Sequence, residues 1–515
     1  MPLYYPWTGE GYISGFTPTL LAELSIREAS NAIREKPNWW IKIKDSTIAA
    51  NWRRDLLEES HKREERFHMT DEQIDYVFKE LDWLAQKRQE QVGNGARAPI
   101  EIGVEGTRRA DGLVPEELRA RLLECVKKLE DVPDDKKNWH PGSDEQVLDL
   151  VHPFYSPLLL VLDVAPVPKS STVRSVFYSK THQWLPTDFD ITPEGKIKAR
   201  SYINNLHPVE HEEMYPVLEE ILEKFLPMFE EVLAEIEKIP PKILKPNRNY
   251  YGPVPEFGEE FEEEDEEEDE EEDEDEDEGE GEFEPRPDLT PYNLKVPSKP
   301  LQVIVKLANI EITPLRPTYP GGSWHVEGMA NESIVATGIY YYDTENITDS
   351  RLKFRINIKE PSYEQSNDKG TKHLYGIMND DLLRQRLDGI ITKQDRCLVF
   401  PNIFQHKVQS FSLVDPTKPG YRKILAFFLV NPEEPILSTT FVPPQQKEWD
   451  NRAFVKEANK KLPPELLREV DHMVDWPMDL EEAKRHRADL MVERRYFSET
   501  INTDLFERPF SLCEH

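Results

Sequence analysis

Cysteine is scarce in these 515 residues: Cys125, Cys397 and Cys513 are too few and too far apart for a disulfide framework or a cysteine-rich zinc site. Long apolar runs are missing as well. No stretch approaches the roughly 18 uninterrupted apolar residues that a membrane span requires. The opening "MPLYYPWTGEGYISGF" lacks a basic region followed by an apolar run, so no secretory signal is expected. An intracellular, reducing compartment follows, either cytoplasmic or nuclear. Basic charge is also in short supply. With 64 Lys and Arg against 99 Asp and Glu, the net charge of −35 disfavours a nucleic-acid backbone as a direct ligand.

Much of that imbalance is local. Residues 259–284, "EEFEEEDEEEDEEEDEDEDEGEGEFE", carry 22 of the acidic residues and no basic one. Without them 77 acids face 64 bases, and the net charge becomes −13. Such a block repels itself and has no apolar surface to bury, so a disordered, solvated linker is expected over 256–286. The sharper alternative is a dock for a basic protein partner.

The linker divides two textures. Residues 1–150 read as a mostly helical N-terminal section, with amphipathic helices expected at 17–36, 70–91 and 115–132. Thr70 and Gln73 have capping-box spacing, and Pro115 suits a first helical turn. Residues 151–255 form a mixed segment. In it "HPFYSPLLLVLDV" (152–164) reads as extended or buried, and a long helix is expected over about 209–238 with a kink at Pro227. Beyond the linker, residues 287–445 hold short β-branched and aromatic runs at 301–313, 333–343, 352–357, 396–401, 407–415 and 422–431, separated by turns such as "YPGG" and "DPTKPG". That density indicates a β-sandwich or jelly roll. Residues 446–515 return to helical patterning, and the whole reads as an α+β protein.

Two H-x-E matches occur, about the number chance predicts in so acidic a chain. His211 and Glu213 fall at a helix start, where residues two apart point about 200° away from each other and cannot share a small ion. His325 and Glu327, in "PGGSWHVEGM" (320–329), follow a Pro-Gly-Gly turn in an extended segment. Alternation there sends both side chains to one side. A third ligand is available 81 residues later: "FPNIFQHKVQSF" (400–411) supplies His406 beside a strand. Two imidazoles and one carboxylate suit iron, manganese or zinc, and leave coordination positions open. Sixteen residues further on, Arg422 heads the apolar strand of "DPTKPGYRKILAFFLV". A cation there is costly unless it meets an anion such as a carboxylate. Alternation sends either Arg422 or its neighbour Lys423 inward; Arg422 is the favoured one.

The ordered set His325, Glu327, His406 and Arg422 resembles the Fe(II)/2-oxoglutarate-dependent oxygenases, whose fold is a double-stranded β-helix (jelly roll). The wider wording, "SYINNLHP", "YPGGSWHVEGM", "FPNIFQH" and "DPTKPGYRKIL", is similar to a large fungal family of uncharacterised proteins with an oxygenase-like core, from near residue 10 to about 450. The resemblance implies that His325, Glu327 and His406 bind Fe(II) as the catalytic centre. It implies that Arg422 clamps the distal carboxylate of 2-oxoglutarate, and that an unidentified prime substrate is hydroxylated or demethylated as the cosubstrate becomes succinate. One departure stands out: the carboxylate is Glu where most such enzymes carry Asp. Trp324 beside the first ligand reads first as packing, as do Tyr340, Tyr341 and Tyr342. Two other readings remain: a non-catalytic binding or scaffold protein with a degenerate core and a partner-recruiting acidic tract, and a cupin-like dioxygenase that does not use 2-oxoglutarate.

Overall fold

The computed structural model describes residues 15–63, 68–95, 98–153, 158–159, 177–237, 284, 289–296, 299–361, 363, 368–446, 449, 463, 465–466 and 478–512. The acidic linker expected at 256–286, apart from Glu284, lies outside the described residues. So do Cys513 and most of 447–477 and 152–164.

The amphipathic patterns of the first hundred residues fold as helices α1 (Leu21–Arg34), α2 (Trp39–Lys42), α3 (Ser46–His61) and α4 (Asp71–Gly93). Their apolar stripes close on a core of their own that includes Ile33, Trp39, Trp52, Val77 and Leu81. The capping box at Thr70 and Gln73 is formed, satisfying two orphan donors of α4. Pro115 caps α5 (Glu116–Glu130) from just outside it instead of occupying its first turn.

The strands in chain order begin with β1 (Glu101–Ile102), β2 (Arg108–Asp111), β3 (Val147–Val151), β4 (Leu158–Leu159) and β5 (His182–Gln183). Next come β6 (Thr187–Ile191), β7 (Ile197–Ala199), β8 (Leu301–Ile312), β9 (Thr318–Tyr319) and β10 (Ile334–Glu345). The last are β11 (Arg351–Asn357), β12 (Arg384–Ile391), β13 (Arg396–Pro401), β14 (Gln405–Val408), β15 (Phe411–Ser412) and β16 (Gly420–Val430). Nine of them make one antiparallel sheet in the order β1-β2-β13-β10-β16-β8-β6-β7, with β3 pairing β8 beside β6. A small sheet, β12-β11-β14, and the ribbon β15-β9 complete the region.

Three of these strands lie in the N-terminal stretch read as helical. The sequence of β2, "RRAD", carries no apolar alternation because its burial is ionic. Arg108 pairs with Glu231 and Glu235, Arg109 with Glu35 and Glu101, and Asp111 with Arg396. A buried guanidinium is tolerable only with such partners.

The large sheet has two distinct faces. Its outer face is covered by α6 (Met214–Glu237), whose Phe225 meets Phe427 at 5.5 Å between ring centroids. That helix begins later than expected at 209, because the His207 ring accepts the Val209 and Glu210 N–H groups and holds a turn there. Pro227 sits inside it. Contact is close at Gly338 of β10, where a Cβ would lie 2.8 Å from Phe225 and 2.9 Å from Phe229 ring atoms. Gly338→Val is therefore expected to cost about 1–3 kcal/mol of stability, read from a denaturant midpoint. The inner face meets the small sheet, with Phe354 of β11 5.2 Å from Phe400 of β13. The remaining helices are α7 (Asp368–Tyr375) and α8 (Leu480–Ile501). Among the described residues no helix is long and apolar enough to cross a membrane.

Candidate metal centre

His325 and His406 face each other across an antiparallel bridge. The His325 N–H donates to the His406 carbonyl at 3.2 Å, and the His406 N–H returns the bond at 2.9 Å. Directly opposed residues of such a pair project to the same side, which brings the ring centroids to 4.3 Å. Glu327, two residues past His325, shares that side. Gly321 sets the approach. Its φ of +94° and a Cβ position 2.7 Å from the Val408 carbonyl oxygen exclude any side chain where the segment runs against β14. The expected strand at 407–415 is broken here into β14 and β15, which pair with different neighbours, β14 with β11 and β15 with β9.

The three side chains converge. Glu327 Oε1 is 3.6 Å from His325 Nε2 and 3.3 Å from His406 Nε2, and ligand-type atoms from all three lie within 4.8 Å of one another. These separations exceed the usual charge-assisted hydrogen bond of about 2.7–2.9 Å. They match two donors on one ion: bonds of about 2.1 Å at about 100–115° place donors roughly 3.2–3.5 Å apart. His325 Nδ1–H donates to the Ser323 carbonyl at 2.9 Å, leaving the Nε2 lone pair for an ion.

Electrostatics favours the same occupancy. Burial alone would raise the Glu327 carboxyl, but the polar contact and charge of His325 and His406 outweigh it and hold the group well below the usual carboxylate range. Burial, then the charge of His325, lowers His406 to about 4. For His325 burial works in the same direction, yet the neighbouring Glu327 carboxylate wins and raises it. An ionised carboxylate beside a neutral imidazole is what a divalent cation needs.

Asn402 went unnoticed in the sequence. Its Oδ1 accepts from the Glu327 N–H at 2.8 Å, while its Nδ2 donates to the carbonyls of Glu327 (2.8 Å) and Ile334 (2.9 Å). The side chain is fully buried and stands in for a missing strand partner. A polar residue inside the apolar run "VFPNIF" was the available signal. Asn402→Ala strands these backbone groups, at about 1–3 kcal/mol for each one left buried. The expected outcome is clear destabilisation together with a 10- to 100-fold loss in Mn(II) affinity by calorimetry, roughly the effect of losing an outer-shell partner. Behind His406, Gln405 and Arg355 are tied together at 2.6 Å, and both donate to Asn502 Oδ1 at 2.9 Å. The Arg355 guanidinium also lies 4.8 Å from the Trp324 ring centre.

Arg422 is the inward residue of its pair. It is 1% exposed, whereas Lys423 points to the outer face and pairs with Glu130 of α5 at 2.8 Å. The guanidinium lies 4.5 Å from the Phe411 ring centre and 5.8 Å from that of Tyr341. Its Nη1 donates to Ser350 Oγ at 3.3 Å, but Nε and Nη2 have no hydrogen-bond partner among the described residues. Among the described residues no carboxylate pairs with it. Burial lowers its pKa, partly offset by Tyr341 and Tyr319. The ribbon that carries Phe411 and Tyr319 runs on into the His325–His406 bridge through the Gly322 N–H to Val408 carbonyl bond of 3.0 Å. The neighbouring tyrosines divide by face. Tyr341 lies beside Arg422, whereas Tyr340 and Tyr342 pack together on the other face, Tyr340 donating to Asp395 at 2.9 Å and Tyr342 keeping a buried hydroxyl with no hydrogen-bond partner among the described residues.

His211 and Glu213 do not converge, since Glu213 pairs with Lys128. A second cluster that the sequence did not reveal joins His140, Asp149 and His152. One oxygen of its carboxylate is already engaged: Asp149 Oδ2 accepts from His140 at 2.8 Å and lies 3.3 Å from Arg487 of α8. That guanidinium supplies the charge an ion would bring, so this cluster joins α8 to β3.

Sequence comparison locates the chain. A family profile described as "Protein of unknown function (DUF4246)" matches residues 71–453, and the corresponding N-terminal domain profile matches 6–55. The chain belongs to the DUF4246 family. No curated protein matches it. Solved structures similar to this DUF4246 member include the IDO protein of Bacillus thuringiensis, at 9% identity over 67% of this chain and 94% of that one, with a TM-score of 0.28. The Fe(II)/(alpha)ketoglutarate-dependent dioxygenase TqaL gives 10% identity over 71% and 92%, also at 0.28. The rice dioxygenase for auxin oxidation gives 13% over 73% and 90%, at 0.25. With TM-scores below 0.5, these likenesses carry no residue roles across to the DUF4246 chain.

Proposed function

We propose that this DUF4246 protein is a non-haem Fe(II)- and 2-oxoglutarate-dependent oxygenase, a hydroxylase or demethylase built on a double-stranded β-helix core. One observation carries the reading. Two histidines and a glutamate converge at ion-sharing distances, while a buried arginine with no carboxylate partner among the described residues stands on the inner face of the same pair of sheets. His325, Glu327 and His406 would hold the iron. Arg422 would receive the distal carboxylate of 2-oxoglutarate through the guanidinium edge that now has no partner.

When bound, iron and 2-oxoglutarate supply oxygen activation coupled to decarboxylation. The chain's own contribution is positioning. Ser323 fixes the His325 tautomer, Asn402 fixes the backbone of Glu327, and Phe354 and Phe400 pack beside His406 so that bulk water is displaced from that side. The two functions of Arg422 and the triad are separable in the laboratory. Protein incubated with Fe(II), ascorbate and 2-oxoglutarate should release succinate slowly without a prime substrate. Metal binding that persists without 2-oxoglutarate binding would turn the reading toward a dioxygenase that does not use the cosubstrate. Absence of both would leave a binding protein.

A further inference from the structure

The inner face of the large sheet can be read row by row from its register. One row runs Phe400, Thr337, Phe428 and Ile304 across β13, β10, β16 and β8, and the His406 ring sits 4.8 Å from the Phe400 ring. The next row runs Leu398, Ile339, Ala426 and Lys306. Lys306 thus points into the same interior as Arg422, which stands opposite Ile310 on β8. Four residues along a strand span about 13 Å, so the two cations are well separated.

Lys306 is an odd residue for its place. It lies mid-way along a central strand, between Val305 and Leu307, both buried against the α6 side. Among the described residues it makes no ion pair and no hydrogen bond. Of the nearby carboxylates, Glu327 contacts the two histidines, and Asp149, opposite Ala308, engages His140 and Arg487 through Oδ2, with His152 3.8 Å from Oδ1. Its charge disfavours protonation of His325 and His406 and is felt by Asp149 as well, which puts it within electrostatic reach of the triad. A half-buried ammonium on the inner face of a sheet, with no ion pair or hydrogen bond among the described residues, is a seat for an anion. A single ammonium compensates a single charge, which fits a monoanionic carboxylate better than a phosphate.

We propose that Lys306 binds a carboxylate group of the prime substrate, so that the position to be oxidised is held between Lys306 and the His325/Glu327/His406 centre. This rests on the functional reading above, in which Arg422 and the metal take the two ends of 2-oxoglutarate and leave Lys306 unused. Butyrate labelled with carbon-13 at the carboxyl carbon is a suitable probe, added to the protein loaded with Mn(II) and 2-oxoglutarate. Wild type should show Mn(II)-enhanced relaxation of the label. Lys306→Met should weaken probe binding at least about tenfold, the size of one lost charge-assisted hydrogen bond, and Lys306→Arg should retain it. 2-Oxoglutarate affinity should be unchanged in Lys306→Met and lost in Arg422→Met. Equal relaxation in wild type and Lys306→Met overturns the proposal, as does no relaxation in wild type. So does a Lys306→Met protein that loses 2-oxoglutarate, because Lys306 would then serve the cosubstrate. If Mn(II) fails to bind at all, the oxygenase reading falls. Saturation transfer from protein to butyrate, compared between wild type and Lys306→Met, still decides the Lys306 seat.

Discussion

His406→Ala should abolish both metal binding and 2-oxoglutarate-dependent succinate release. Structural ions held by four ligands are worth about 10–16 kcal/mol, so one ligand in three carries several kcal/mol, or about 10²–10³-fold or more in affinity. The loss is sharpened by geometry. The His406 side chain is 4% exposed and its ring packs on Phe400, so no neighbouring group swings into its place. Removing it also leaves the ionised Glu327 with His325 alone. His325→Ala should behave similarly, with one difference: its side chain is 36% exposed, so added imidazole has a route to the gap and should restore part of the metal binding. Calorimetric Mn(II) titration of the three proteins checks both outcomes. An unchanged stoichiometry in His406→Ala would place the ion elsewhere.

Arg422→Met should separate stability from activity in opposite directions. The guanidinium is buried with two nitrogens lacking partners, and its nearest company is aromatic rings and one hydroxyl. An uncompensated charge in such a place is destabilising, and an apolar side chain of similar length removes the cost. The variant should therefore be more stable than wild type by about 1–3 kcal/mol, measured from urea unfolding in the absence of metal. Its affinity for 2-oxoglutarate should fall by roughly 10²-fold or more, because breaking a buried ion pair costs about 3–5 kcal/mol. Mn(II) binding in the absence of cosubstrate should be unaffected. A residue that weakens the empty protein and serves the loaded one is the signature of a ligand site.

The readable parts of this sequence were those in which side chains alternate. His325 and Glu327 share a side because a two-residue step in extended chain returns to the same face, and the apolar runs at 301–313, 396–401 and 422–431 became β8, β13 and β16 with ends moved by two residues or fewer. The capping box of α4 was legible for a similar local reason. What stayed hidden depends on partners far away in the chain. The strand β2 is stabilised by Glu35 just after α1, by Glu101 of β1 and by Glu231 and Glu235 of α6, so its own sequence gives no pattern. Asn402 matters only because Glu327 lies across from it, and Lys306 only because the register with β16 fixes which face it takes. The separate helical and sheet sections expected from composition also merge, because β1, β2 and β3 join the sheet formed mainly after residue 300.

The attachment of Asn502 to Gln405 and Arg355 has an effect on timing. Behind the strand of His406, residues 502–510 are fastened by those bonds, by the Leu383 N–H to the Arg508 carbonyl at 2.8 Å, and by the buried Leu505, Phe506 and Phe510. On a ribosome this stretch emerges almost a hundred residues after His406, beyond the span matched by the family profile. A nascent chain halted at residue 453 would hold every member of the triad and yet lack its rear brace. Only once residues 502–510 have been made can Gln405 and Arg355, behind His406, take up the bonds to Asn502 that hold them in place.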